Sequence, residues 1–240
     1  MDVINGRSAA LAGAIAVAVL SGALVCEPAR ADTYAFGNTE SASDYATLTL
    51  QEGSESVSLS TDGFQGWVGN DSFNFAGPNG NTNYLVGVYN RTSHNNFFAF
   101  DIAGVKSTVT SAKLTLYSGT ISAELDYSLY GATQAITQLS NGVSPNTALY
   151  NELGHGVKYG SFVIDSGNSL HTLMFALNAA AVNDDIKAAI AGKKGQIAIA
   201  GVAVGVPEPS TWIMMLAGFA GLGLAAYRRA ARGRAASTAG

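Results

Sequence analysis

The chain has 240 residues, 13 Lys or Arg against 17 Asp or Glu for a net charge of −4, and a single cysteine. The acidic balance argues against nucleic acid as a partner, because phosphate contacts need a basic face. One thiol excludes an internal disulfide.

In chain order, Arg7 precedes an uncharged run from Ala9 to Val25, and Ala29-Arg30-Ala31 follows as an A-x-A site. A basic start, an apolar core and small residues before the cut make a secretory signal. Residues 1–31 therefore read as a signal helix, cleaved between Ala31 and Asp32. An uncleaved anchor is the alternative, disfavoured by the well-formed site. Val25 is too bulky to precede a lipoprotein cysteine, so Cys26 leaves with the signal and the exported chain carries no thiol. Without disulfide or catalytic cysteine, its stability must come from burial and backbone pairing.

Residues 32–205 form one stretch long enough for a single domain with a sizeable core. It holds 14 Asp or Glu and 7 Lys or Arg, a net of −7, so the basic surplus sits in the two ends of the chain. A period of two marks half-buried strands at Ser54–Ser60, Ser111–Tyr117 and Leu125–Tyr130. Further strands are expected at Tyr84–Tyr89, Phe97–Ile102, Ser161–Ile164, Leu170–Leu177 and Gln196–Val204. Turn-formers such as Asn141-Gly142 and Ser166-Gly167-Asn168 separate them. The stretch from Asp62 to Asn83, with Trp67, Phe73 and Phe75, reads as a long surface loop. One helix is expected, capped by Asn178, with Val182, Ile186, Ala189 and Ile190 on one face and its end at Gly192. The expected fold is mainly β: an antiparallel β-sandwich, jelly-roll-like, with one short helix.

Three features invite a chemical reading. Phe162-Val163-Ile164-Asp165-Ser166-Gly167 has the form of an aspartic-protease strand, but that chemistry needs two carboxylates and no second such triplet occurs. A strand running into an Asp-Ser-Gly turn is the better account. His94, His155 and His171 have no metal-ligand spacing, and no metal or other cofactor is expected. The sequons at Asn70 and Asn90 carry little weight. No catalytic constellation survives, so the domain is expected not to be an enzyme.

Beyond residue 205 comes Pro207-Glu208-Pro209, stiff and extended because each proline fixes its own φ and restrains its predecessor. Trp212–Tyr227 follows as 16 uncharged residues with aromatic edges, a short transmembrane helix. Arg228, Arg229, Arg232 and Arg234 then stop transfer and place the C-terminus in the cytoplasm. Residues 235–240 read as a disordered end. The order Pro207-Glu208-Pro209, apolar helix, Arg228-Arg229 resembles the PEP-CTERM sorting signal of exopolysaccharide-producing Gram-negative bacteria. The resemblance covers 206–234 and implies removal of the tail by exosortase, an integral-membrane cysteine transpeptidase. It further implies export across the inner membrane, transient anchoring, and a final place at the cell surface or outside.

Within the domain, Phe97-Phe98-Ala99-Phe100-Asp101-Ile102 with Val109–Tyr117 resembles strands of jelly-roll modules on bacterial surface and polysaccharide-processing proteins. Some of those modules bind carbohydrate, which makes Trp67, Tyr89, Tyr117, Tyr127 and Tyr130 stacking candidates, although aromatics usually pack in or over a core. Two functional readings remain. One is a non-catalytic structural protein of the extracellular matrix, associated with exopolysaccharide, biofilm or floc. The other is a carbohydrate-binding module for the host exopolysaccharide.

Overall fold

The computed structural model describes residues 32–38, 46–61, 64–69, 72–74, 83–106, 108–132, 135, 138, 147–206, 213, 215–224 and 227. Thirteen strands occur among them. They begin with β1 (Thr33–Asn38), β2 (Thr47–Glu52), β3 (Glu55–Ser60), β4 (Gln65–Gly69) and β5 (Phe73–Asn74). Next come β6 (Asn83–Tyr89), β7 (Thr92–Asp101), β8 (Val109–Tyr117), β9 (Thr120–Ile121) and β10 (Leu125–Gly131). After helix α1 (Thr147–Leu153) follow β11 (Lys158–Ile164), β12 (Thr172–Leu177), α2 (Ala179–Ala191) and β13 (Gln196–Gly205).

Every pairing is antiparallel. One sheet runs β12-β8-β2-β3; the other has nine strands along β11-β10-β13-β7-β6-β1-β9, with β4 and β5 joined to β7. The two face each other across a shared core that includes Leu48, Leu50 and Leu114 from the small sheet and Phe98, Phe100 and Leu129 from the large one. This is a β-sandwich of unequal sheets, with more strands than the eight of a jelly roll.

Strands with one wet face keep the expected alternation. On β8, Val109, Ala112, Leu114 and Leu116 are buried while Ser111 and Lys113 face solvent. The centre of the large sheet behaves differently, because β7 and β13 are covered on both faces. Phe98, Phe100, Ile197 and Ile199 enter the inter-sheet core. Phe97, Ala99, Ala198 and Ala200 point the other way, into a second cluster closed by Leu149 and Leu153 of α1. A strand stretch buried on both sides reads as a near-continuous apolar run, as Phe97–Phe100 and Ile197–Ala200 do.

Asn96 of β7 and Tyr127 of β10 meet above the intervening strand, over Gly201 of β13. The Asn96 amide donates to the Tyr127 hydroxyl at 3.1 Å, and that hydroxyl lies 3.2 Å from the Asn96 carbonyl oxygen as its acceptor. Both side chains are buried. A Cβ on Gly201 would stand 2.1 Å from Asn96 Oδ1 and 2.3 Å from Tyr127 Oη, so only glycine leaves room for the bond.

The structure adds to and corrects several expectations. β1, β2, β9 and α1 are elements the sequence reading does not single out. The supposed surface loop at 62–83 contains β4, paired along its length with β7, and β5, paired with β4. The glycines at 66 and 69 hide that strand's alternation, and β4 is held by ladder bonds to β7. Helix α2 forms as expected, with Asn178 Oδ1 accepting from the Ala181 N–H at 3.3 Å and Gly192 N–H donating to Ala188 O at 2.9 Å. Its buried face, however, is Val182, Asn183, Ile186 and Ala189, and Ile190 is exposed. Asn183 earns its buried place by accepting the Val109 N–H at 3.1 Å.

Candidate functional site

The expected processing residues Ala29, Ala31, Pro207, Glu208, Pro209, Arg228 and Arg229 lie outside the described residues, as does Trp212. The edges of the folded body are nevertheless well defined. Ser122 Oγ accepts the Tyr34 N–H at 2.8 Å and can donate to the carbonyl of Asp32 or of Tyr34, each 3.2 Å away. Two residues on, the Glu124 carbonyl accepts the Val206 N–H at 3.0 Å. Thr33 packs against Gly205, where an added Cβ would come within 3.0 Å of it. The first residue after the expected signal cut and the last residue before Pro207 are thus fastened to one short loop, Ser122–Glu124.

Farther along, residues 215–224 are helical. Leu216, Phe219 and Leu222 there are 63%, 65% and 70% exposed, so this helix buries none of its large apolar side chains against the body. Among the described residues, no helix is long and apolar enough to cross a membrane. Ten residues at about 1.5 Å each reach about half of a hydrocarbon layer some 30 Å thick.

Among the concavities on the body are two lined by described residues. One, of about 270 Å³, is lined by Tyr34 and Phe36 of β1, Trp67 of β4, Asn74 of β5, Leu85 and Tyr89 of β6, and Thr120 of β9. It exists because β4 and β6 pair with opposite edges of β7 at one residue, His94, which registers on both Gly69 and Gly87. Sheet curl then brings the two outer strands round the start of β7. Tyr34 and Tyr89 meet edge to face at 4.9 Å, and Trp67 stands edge-on to the His94 ring at 4.8 Å. Asn74 Nδ2 donates to Asn83 Oδ1 at 2.9 Å, which orients its amide.

Of the five aromatic residues singled out in the sequence, this groove gathers Trp67 and Tyr89. Tyr127 lies in the inter-sheet core. Tyr117 is half-buried, its carbonyl accepting the Tyr84 hydroxyl at 2.9 Å, and Tyr130 is half-buried with Lys158 Nζ 5.8 Å from its ring centre. The groove also recruits Tyr34 and Phe36, which sequence reasoning missed. Their signal is the alternation of Tyr34 and Phe36 with the small Ala35 and Gly37, which places the large side chains outward.

The second concavity, of about 370 Å³, holds Glu152, His155, Asp185 and Lys194 around Gly131 and Gly156. Tyr159 beside it donates to the Asp185 carboxylate. Burial, with that bond and the Asp185 charge adding to it, pushes the Tyr159 hydroxyl far above its ordinary pKa. Gln138 Nε2 donates to Glu152 Oε2 at 3.0 Å, so this carboxylate already has a partner. Among the described residues no group of three His, Cys, Asp or Glu side chains is placed to hold a metal ion. Asp165 caps a turn, its carboxylate accepting the Gly167 N–H at 2.8 Å, in keeping with the turn reading of Asp-Ser-Gly.

Neither a curated protein nor a solved structure matches the chain. Residues 205–230 match the family model of the PEP-CTERM protein-sorting motif, beginning at the last residue of β13. The chain therefore carries a PEP-CTERM protein-sorting motif, which implies export, sorting to the cell surface and an exosortase as processing partner.

Proposed function

We propose that the exported body is a non-catalytic component of the extracellular matrix. In this reading a Gram-negative cell exports it across the inner membrane, holds it briefly by its tail, and places it with exopolysaccharide in biofilm or floc once exosortase has cut. The observation that carries the proposal is the sorting-motif match at 205–230. Two features support it. The body closes at Val206, which leaves Pro207-Glu208-Pro209 beyond the last strand for an enzyme to grip. The helical residues 215–224 expose apolar side chains that gain most by entering lipid, and a span would extend that helix over Trp212–Tyr227.

The test is the intact mass of the protein recovered from its producing cells, together with its fractionation. A chain running from Asp32 to between Val206 and Pro209, recovered with the polysaccharide fraction, is the expected result. A chain that keeps Trp212–Gly240 and stays with the membranes refutes the reading. A carbohydrate-binding module for the host polysaccharide is the second reading, favoured by the aromatic groove between β1, β4 and β6.

A further inference from the structure

From the groove we infer that Tyr34, Phe36, Trp67 and Tyr89, with Asn74 and Thr120, form a binding subsite for a neutral pyranose unit of a polysaccharide. This rests on the carbohydrate-binding reading and gives it a place and a ligand class.

The chemistry of the lining selects the ligand. Four aromatic rings from three strands present faces and edges to one space. A ring face carries negative charge density and attracts weakly positive C–H groups, such as those on the flat side of a pyranose. Hydroxyls at the sugar's edge need hydrogen-bonding groups, and the Asn74 amide and Thr120 hydroxyl line the same space. A mostly apolar concavity with a few polar groups is the usual form of a small-molecule site.

Charge narrows the choice further. The described lining contains no Lys, Arg, Asp or Glu, and residues 32–205 carry a net −7. An acidic sugar or a phosphate would shed water there without meeting a cation, which is costly. At about 270 Å³ the groove falls just under the roughly 300 Å³ where drug-sized pockets begin, which suits one or two sugar rings.

The groove is also braced before any ligand arrives. Trp67 rests against His94, and Tyr34 against Tyr89. Tyr89 is 39% exposed at the end of β6, and its ring is held by this edge-to-face contact. Rings already held in place lose less freedom on binding, so more of the contact energy appears as affinity.

A spectroscopic coincidence allows a direct test. The chain has two tryptophans, Trp67 and Trp212. Protein cut ahead of Trp212 therefore reports the groove alone by tryptophan fluorescence. Processed protein from producing cells is titrated with a cello-oligosaccharide, a galactomannan oligosaccharide, polygalacturonate and phosphatidylglycerol vesicles. In parallel it is run through gels containing neutral glucan, galactomannan or host polysaccharide.

The expected result is a saturable shift of Trp67 emission with a neutral saccharide and none with polygalacturonate. Tyr89→Ala, at the groove's exposed edge, weakens that binding about tenfold, the scale of losing one aromatic anchor. A Trp67 response confined to polygalacturonate or vesicles overturns the subsite. So does an affinity left unchanged by both Tyr89→Ala and Thr120→Val. Retardation in a polysaccharide gel with silent Trp67 emission refutes this groove but leaves carbohydrate binding elsewhere on the body. Silence in both experiments removes the carbohydrate-binding reading as well.

Discussion

Gly201→Ala adds one methyl group at the point where three strands of the large sheet are tied together. The new carbon would lie 2.1 Å from Asn96 Oδ1 and 2.3 Å from Tyr127 Oη, well inside contact distance. Neither side chain has space to retreat. Asn96 is fully buried, and the Tyr127 ring packs against Phe175 at 5.5 Å. The bond must therefore break and leave two buried polar groups unpaired, at about 1–3 kcal/mol each. Replacing glycine returns about 0.4–1 kcal/mol by restricting the unfolded chain. The net loss is about 2–5 kcal/mol, a large part of the roughly 5–15 kcal/mol a typical domain possesses. For a domain of this size it corresponds to about 4–20 °C in Tm. Tyr127→Phe serves as the companion, since it strands only Asn96 and should cost about 1–3 kcal/mol. Denaturant titration of both variants, followed by circular dichroism, gives the comparison. A Gly201→Ala loss below about 0.5 kcal/mol, or one no larger than that of Tyr127→Phe, refutes the account of a bond that needs glycine beneath it.

Phe98→Ala empties the centre of the inter-sheet core, where Phe98 meets Tyr84 edge to face at 5.3 Å, and is expected to cost about 3–5 kcal/mol in the same titration. Phe97→Ala, on the opposite face of β7, should loosen the cluster under α1; fast amide exchange confined to Thr147–Leu153 and its neighbours would distinguish it from a global loss. Alkaline pH is a third perturbation. Burial raises the Tyr84, Tyr127 and Tyr159 hydroxyls far above their ordinary value of 10.0, with Tyr127 adding to Tyr84, Asp185 adding to Tyr159, and Asn96 partly opposing the rise at Tyr127. The folded state holds these protons more tightly than the unfolded chain, so stability is complete below pH 10.0 and falls as pH climbs toward the folded values. Tyrosinate absorbance from these three should therefore appear together with loss of the strand signal, and ionisation of all three in an intact fold would contradict their burial.

How much of this could be read in the amino acids depends on what covers each strand. β8 and β10 each keep one wetter face, so their alternation reads directly. In β7 and β13 the apolar runs identify strands but conceal the second layer, where the seven residues of α1 bury Leu149 and Leu153 beside Phe64, Ala132 and Ala135. A helix that short, just after Pro145 and Asn146, offers too little periodicity to stand out. β1 escapes notice for a different reason. Its inward positions are the small Ala35 and Gly37, because the Tyr84 ring occupies the space a Gly37 side chain would need, while the large Tyr34 and Phe36 face outward. The sorting tail sits at the other extreme, since order along the chain is its whole signal. The aromatic groove could not be read locally: its members run from Tyr34 to Thr120 and meet only because the sheet curls around His94.

The loop Ser122–Glu124, which fastens both Asp32 and Val206, makes the body a cassette with a single doorway. The chain enters and leaves through the same opening, and the sorting-motif match starts where β13 stops. Address and cargo are therefore separable in physical terms. Any segment joined ahead of Asp32 or after Val206 meets the body at that doorway, outside every strand pairing of the described residues.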